Sequence, residues 1–516
     1  MIPVDAKRCS IDEAIEQIPD GCTIVSGGFC GAAHPEALTA AIERHYLDHK
    51  RPKDLTLIYG AGQGDARDRG LNHLGHEGLV SKVIGGHWRL APKLGKLALD
   101  GKIEAYNIPQ GVVCQLLRDI AAGRPGCITH VGLDTFIDPI NDGGAINSNT
   151  PNTFVERIEL GDKTWLWYKA MPVDVGLIRA TAADPFGNLI MDEEAIAGEV
   201  LPIAQAVHNS ARGKPLVIAQ VKRILDSPAA PHRVRVPGIL VDRVVIADDQ
   251  DQHQQVFGEY FNPAYVAPQS SDQALPELEK LPMDARRIIA ARACDELQPG
   301  MIVNLGIGMP EGIARIAAER DLLHHFTLTV ESGPIGGMPA GGLSFGASMH
   351  PMAIVDQPAQ FDFYDGRGLD YAALGAAQID AAGNVNVSRF GNVLAGVGGF
   401  VNITQNAKQL VFCGTFTAGG LDVQVVDGRL KIIAEGKVRK FIKNVEQISF
   451  AASHSREVGQ DVLYVTERAV FRLADNGLML SEVAPGIDVE RDILSQMAFK
   501  PVIGELSPMN SAAFAS

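Results

Sequence analysis

In the stretch Thr327-Leu-Thr-Val-Glu-Ser-Gly-Pro-Ile-Gly-Gly337 a glutamate stands where strand-forming residues give way to a glycine-proline turn. The carboxyl end of a strand in an open α/β sheet is where such folds bind ligands. A carboxylate held there, with glycines that let a substrate approach the backbone, has the chemistry of a nucleophile toward an activated acyl group. Glu331 is equally compatible with a loop residue that favours a helix N-terminus, so the weight rests on what surrounds it.

An acyl-transfer site needs donors for an oxyanion as well as a nucleophile. Ala395-Gly-Val-Gly-Gly-Phe400 clusters glycines, and the N–H groups of Gly396, Gly398 and Gly399 can then face one spot, although tight turns also account for such clusters. Asn107-Ile-Pro-Gln-Gly111 precedes an amphipathic helix expected over 112–121, with Pro109 suited to a helix start and Gln110 presenting its amide at the first turn. Gly60-Ala-Gly-Gln-Gly-Asp65 and Gly306-Ile-Gly-Met-Pro-Glu-Gly312 look like dinucleotide loops but lack the full glycine pattern and the acidic residue some 20 positions on. His73-Leu-Gly-His76 has no third partner, and no metal centre is expected. Arg89, Lys93 and Lys96, within 82–102, read as a solvated face before a phosphate site.

The elements that must hold these residues repeat. Helix (11–18), strand (23–25), glycine turn, helix (36–45), strand (55–59), Gly60 is followed after residue 285 by helix (286–297), strand (301–304), Gly306-Ile-Gly308, helix (311–320), strand (326–330), Glu331. Laying Leu55-Thr56-Leu57 on Phe326-Thr327-Leu328 sets Gly60 against Glu331. A gapless second match pairs Asp174 with Asp370, Asp184 with Asp380 and Gly187 with Gly383. The pattern predicts two similar open-sheet α/β domains from an internal duplication, over 1–275 and 276–516, joined by a proline-rich linker within 262–284. Gln110 would come from the first, Glu331 and the glycine turn from the second. Because the first copy keeps the frame with glycine at position 60, the fold does not require the carboxylate, which favours chemistry. No counterpart of the 396–399 turn is expected at 190–198 beyond Gly198.

The totals agree with an enzyme of this kind. A chain of 516 residues, 46% hydrophobic and 21% charged with 54 glycines, suits a loop-rich α/β protein of more than one domain. A net charge of -15 argues against nucleic acid or an anionic membrane as partner. Seven cysteines without a CxxC pair, an amino terminus without an apolar export signal and no run of ~20 apolar residues point to a reducing, cytoplasmic setting and no membrane span.

Taken together these residues resemble the family I CoA-transferases across nearly the whole chain. The first family signature is matched by Asp20-Gly-Cys-Thr-Ile-Val-Ser-Gly-Gly-Phe-Cys-Gly-Ala-Ala-His-Pro35, with two departures: Ser26 ends the apolar run and Ala33 replaces a glycine. The second is matched by Glu331-Ser332-Gly333. With Gly336-Gly337 and Phe361-Asp-Phe-Tyr-Asp-Gly366 it is similar to the fused, single-chain branch that uses acetate, propionate, butyrate or acetoacetate and their CoA esters. The resemblance implies Glu331 as nucleophile, an oxyanion hole from Gln110 and the Gly396, Gly398 and Gly399 turn, and CoA beside Gly306, Gly308 and Pro310. It also implies coenzyme A as substrate with no further cofactor, and a homo-oligomer, tetramer ahead of dimer. A hydrolase on the same scaffold, or a metabolite-sensing α/β protein without turnover, are the competing readings; a transcriptional sensor would need a basic recognition helix that the sequence does not show.

Overall fold

The computed structural model describes residues 3–247, 249–268 and 280–515. It divides into two compact units, one of Met1–Ser270 with Val330–Asp362 and Asn392–Asn402, the other of Ser271–Thr329, Phe363–Gly391 and Ile403–Ser516. The segments that carry Glu331 and Gly396 to Gly399 lie in the second half of the sequence, yet they belong to the first unit. Of the expected linker, Pro263–Tyr265 forms a 3-10 turn and 269–279 lie outside the described residues.

The first unit is a parallel sheet of β1 (Thr23–Ser26), β2 (Leu55–Tyr59), β3 (Val80–Gly85), β4 (Glu104–Asn107), β5 (Val175–Arg179), β6 (Leu216–Val221) and β7 (Arg243–Ile246), in the order β7-β6-β5-β1-β2-β3-β4. Every residue of β1, β5 and β6 is buried, as expected for parallel strands covered on both faces. The covering helices include α1 (Glu36–His49), α2 (Gln110–Ala121) and α3 (Val200–Ser210); α2 packs on α3, and α3 on β5. Helix α2 starts two residues before the expected 112, because Pro109 occupies the cap and leaves Gln110 as the first helical residue.

In the second unit, β8 (Ile302–Leu305), β9 (Thr327–Thr329), β10 (Tyr371–Gly375), β11 (Gln409–Cys413) and β12 (Asp461–Val465) run parallel in the order β9-β8-β10-β11-β12. The sheet continues through β13 (Ala469–Ala474), β14 (Gly477–Val483) and β15 (Val502–Pro508). Its helices include α4 (Ala285–Cys294) and α5 (Glu311–Glu319), which pack together. Strand β9 is shorter than the expected 326–330, since the N–H of Val330 turns to the carbonyl of Pro334 within the glutamate turn.

The duplication is visible in strand register. Thr23 pairs with Thr56 and Ile24 with Val175 in the first unit, while Ile302 pairs with Thr327 and Val303 with Tyr371 in the second. These pairings follow the alignment that sets Gly60 on Glu331 and Asp174 on Asp370. The polar contacts repeat as well. Asp174 accepts the N–H of Thr23 at 2.9 Å and Asp370 that of Ile302 at 2.9 Å. Asp184 and Asp380 each accept the N–H of the asparagine four residues on, Asn188 and Asn384, at 3.0 Å.

One acid in the first unit is buried without such support. Glu199, at the cap of α3, is 1% exposed, and neither carboxyl oxygen has a hydrogen-bond partner among the described residues. Burial pushes its pKa up to about 8, partly offset by the nearby N–H groups of Glu199 itself and Gly28. The folded state therefore keeps a proton that the unfolded chain, with an ordinary value of ~4.3, gives up. Stability from this group is complete below the unfolded value and is lost as pH rises toward about 8. Glu199→Gln removes the titration, so its stability relative to the parent should rise by up to ~1.4 kcal/mol per pH unit across that window. Thermal melts of both proteins from pH 5 to 8 check this; a difference that does not change with pH refutes it.

Candidate active site

The ends of β3 and β4 build a frame. Asn107, the last residue of β4 and 1% exposed, donates through Nδ2 to the carbonyls of Gly86 (2.6 Å) and Gly85 (3.0 Å) and accepts the N–H of Val397 at Oδ1 (3.1 Å). Trp88, fully buried with its ring edge-on to Tyr59, donates its backbone N–H to the carbonyl of Ala395 at 2.8 Å and its indole N–H to that of Gly85 at 3.2 Å. The Gly398 N–H bonds to the carbonyl of Gly86 and the Gln110 N–H to the carbonyl of Gly398, both at 2.8 Å. The turn is thus held from both sides. Gly396 has φ 76° and Gly398 φ 52°, and a β-carbon on Gly396 would lie 2.9 Å from Trp88 Cδ1, so glycine is required by conformation and by space.

Gln110 opens α2 at 2% exposure, and its Nε2 has no hydrogen-bond partner among the described residues. A buried donor left unmatched costs ~1–3 kcal/mol, so a donor kept in that state is available to an acceptor brought by a ligand. The glycine turn behaves differently from the sequence expectation. The Gly398 N–H, expected to face an oxyanion, is spent on Gly86, and that of Val397 on Asn107. Clustered glycines signal conformational freedom but not where each N–H points. Gly398 therefore acts through its carbonyl, which fixes Gln110, while Gly399 is buried just ahead of α7 (Phe400–Asn406).

Glu331 is half-buried in the turn after β9. Next to it, Ser332 Oγ donates to the carbonyl of Gly346 at 2.5 Å, and Gly346 lies against the ring of Phe29. The loop after β1 meets the same turn: burial, and then the charge of Glu331, raise the pKa of the Cys30 thiol. Cys30 donates its N–H to the carbonyl of Gly62 at 2.7 Å, Gly62 abuts the ring of His87, and His87 abuts Gly398. A continuous line of contacts thus runs from Glu331 to Gln110 inside the first unit. Gly306, Gly308 and Pro310 belong to the second unit. There the Gly306 N–H bonds to the carbonyl of Ala373 at 2.9 Å, Gly308 has φ 88° with open space at its α-carbon, and Pro310 caps α5.

The first unit carries a twin of the Gln110 contact that the sequence did not reveal. Gln357 opens α6 (Gln357–Asp365), and its N–H bonds to the carbonyl of Gly198 at 3.0 Å, as that of Gln110 does to Gly398. In this twin the place of Glu331 is taken by Gly60. A β-carbon there would make ordinary contacts, 3.4 Å from Cys114 Sγ and 3.6 Å from Gln357 Nε2. The two histidines weighed as metal ligands are bonded to carboxylates instead, His73 to Glu36 at 2.9 Å and His76 to Glu43 at 2.6 Å. Among the described residues no group of three or more His, Cys, Asp or Glu is placed to hold a metal ion.

Asn107 and His87 were not singled out from sequence; the only signal for His87 was the Gly85-Gly86 pair before it, at the end of a strand.

Residues 8–247 match the family model described as Coenzyme A transferase. The chain is 41% identical over 510 residues to the acetate CoA-transferase YdiF of Escherichia coli K12, covering 98% of this chain and 94% of that protein. The chain belongs to the family I CoA-transferases. It is also 42% identical over 516 residues to the caffeate CoA-transferase of Acetobacterium woodii, with 99% and 97% covered. A crystal structure of YdiF from E. coli O157:H7, described as a thioester complex with CoA, superposes with a TM-score of 0.91 at 39% identity and covers 99% of this chain and 96% of its own. The two departures from the family signature are absorbed locally in this CoA-transferase. Ser26 Oγ donates to Gln63 Oε1 at 2.7 Å, and Ala33 adopts φ 53°, a backbone that glycine takes with less strain.

The frame of the transferase is open to test at Asn107. Asn107→Ala leaves the Val397 N–H and the Gly85 and Gly86 carbonyls without that side chain, at a cost of ~1–3 kcal/mol. A lowered melting temperature together with reduced turnover is expected from thermal denaturation and steady-state assay of the variant. Full turnover with unchanged stability would remove Asn107 from the frame.

Proposed function

We propose that the enzyme exchanges CoA between a short-chain acyl-CoA and a free short-chain carboxylate, with Glu331 as the nucleophile and Gln110 Nε2 as a donor to the oxyanion. The observation that carries this reading is the buried, unmatched Gln110 amide, fixed through Gly398 and linked by packed residues to the turn of Glu331. The Glu331 carboxylate attacks the thioester carbonyl and the resulting oxyanion collapses, expelling CoA thiolate and leaving an acyl-glutamyl anhydride. The thiolate attacks the Glu331 carbonyl, releases the acyl group as a free carboxylate and forms a glutamyl-CoA thioester. An incoming carboxylate reverses these steps and departs as the new acyl-CoA. Every step exchanges a carboxylate for a thiolate, so the proton count does not change and no ATP or additional cofactor is needed. A metal is not part of the proposed chemistry.

The acyl range is read from the short-acid branch that the Glu331-Ser332-Gly333 signature resembles; the relatives' names, acetate and caffeate, make both acids suitable acceptors to compare. Gly306, Gly308 and Pro310 are proposed CoA contacts, on the family resemblance and the open α-carbon of Gly308. A cytoplasmic setting fits the seven free thiols, and a homo-oligomer, tetramer ahead of dimer, rests on the resemblance. No helix among the described residues is long and apolar enough to cross a membrane.

Incubation with acyl-CoA should add CoA to Glu331, and borohydride should reduce that thioester and inactivate the enzyme, as followed by intact mass and peptide mapping. Glu331→Gln should melt like the parent and lose transfer. A CoA label that maps to another residue overturns the assignment. Gln110→Ala should lower turnover ~10²- to 10³-fold, the usual effect of losing one oxyanion donor, with a smaller change in acyl-CoA binding. Parental turnover in that variant takes Gln110 out of the mechanism.

A further inference from the structure

With the Gly398 N–H committed to Gly86, the oxyanion has fewer backbone donors than the glycine cluster suggested. The space above the Gly398 α-carbon shows what else borders it. The point a β-carbon would occupy lies 3.6 Å from Gln110 Oε1, 3.7 Å from His87 Cβ and 3.8 Å from His87 Cδ2. The Gln110 side chain, at its Oε1 end, and the imidazole of His87 therefore flank one spot.

The position of His87 is determined on every side. Its backbone forms a β-bridge with Gly396, and the next residue, Trp88, is fully buried and bonded to Ala395. The ring is slotted between two glycines. Nδ1 sits 2.5 Å from where a β-carbon on Gly62 would be, while the opposite edge, at Cδ2, faces Gly398. Any side chain at position 62 would collide with the ring, and any at 398 would fill the space that the ring and Gln110 share. Nε2 is bonded to Cδ2, the ring atom that comes nearest the Gly398 position. The residue as a whole is half-buried.

We propose that His87 is a second side-chain donor to the oxyanion, giving an Nε2–H hydrogen bond to the acyl oxygen opposite the Gln110 amide. This inference rests on the reading of Glu331 as nucleophile. Burial, and secondarily the charge of Arg89, lower the imidazole pKa to about 4, so the ring is neutral at physiological pH and donates from one nitrogen only. A neutral donor strengthens its bond as negative charge gathers on the acyl oxygen and adds no fixed cation near a carboxylate nucleophile. No proton is transferred, and no bond forms or breaks at the ring.

The test uses the full chain with acetyl-CoA as donor and propionate as acceptor, comparing His87→Gln, His87→Asn and His87→Ala. Glutamine can set an N–H near the place of Nε2, whereas asparagine reaches only the place of Nδ1 and alanine neither. Formation of the Glu331-CoA adduct in a single turnover, followed by intact mass, should slow ~10²-fold or more in the Asn and Ala variants and stay within ~10-fold of the parent in the Gln variant, with the KM for acetyl-CoA little changed in all three. A purely packing role predicts equal losses in all three variants and a lowered melting temperature, and that pattern overturns the proposal. So does adduct formation at the parental rate in His87→Asn. If the parent enzyme gives no adduct at Glu331, the nucleophile reading fails and the histidine role with it; a normal parental adduct with an indifferent His87→Asn sinks the histidine role alone.

Discussion

The hydrogen bond from the Gln110 N–H to the Gly398 carbonyl is the contact on which the arrangement of the candidate site depends. It falls in the first turn of a helix, where an N–H has no acceptor in its own helix and must find one elsewhere. By finding it in the glycine turn, α2 is pinned at the residue whose buried side-chain amide has no partner among the described residues. Any one of the bonds around the turn is worth only ~0.5–1.5 kcal/mol, but they share Gly86, Asn107 and Gly398, so loosening one leaves the others poorly directed. The benefit is preorganisation: a donor already aimed needs no rearrangement when charge develops.

The same economy explains why a protein with a net charge of -15 can handle anionic acids and CoA esters. The net charge supplies no long-range attraction for an anion, so in the proposed site recognition rests on local donors. The donors proposed between β3, β4 and the glycine turn are an amide and a neutral imidazole. Such groups stabilise an oxyanion without lowering the basicity of a neighbouring carboxylate as a lysine or arginine would.

Much of this was legible in the sequence, for stated reasons. Glu331 stood out because the repeat set it against Gly60, and strand register follows that alignment through Thr56 and Thr327. Gln110 was marked by Pro109, which fixes where α2 begins. The direction of the Gly398 N–H was hidden, since glycine content reports that a turn is possible and says nothing of its hydrogen bonds. Asn107 was silent, and His87 was marked only by the glycine pair before it, because each stands singly and forms no spaced pattern. The assignment of 330–362 and 392–402 to the first unit was also out of reach, because it follows from contacts between segments far apart in the chain.

Gln357 bonding to Gly198, and Gln110 to Gly398, form a crosswise exchange in which each half of the sequence lends a glutamine to a glycine of the other. Both are backbone bonds, so each carbonyl is set by its own glycine's left-handed backbone, φ 61° at Gly198 and 52° at Gly398, and is met by a helix start from the other half. The halves can differ in what concerns their own sheets, but at these two glycines each must keep a backbone that the other half's helix start can reach.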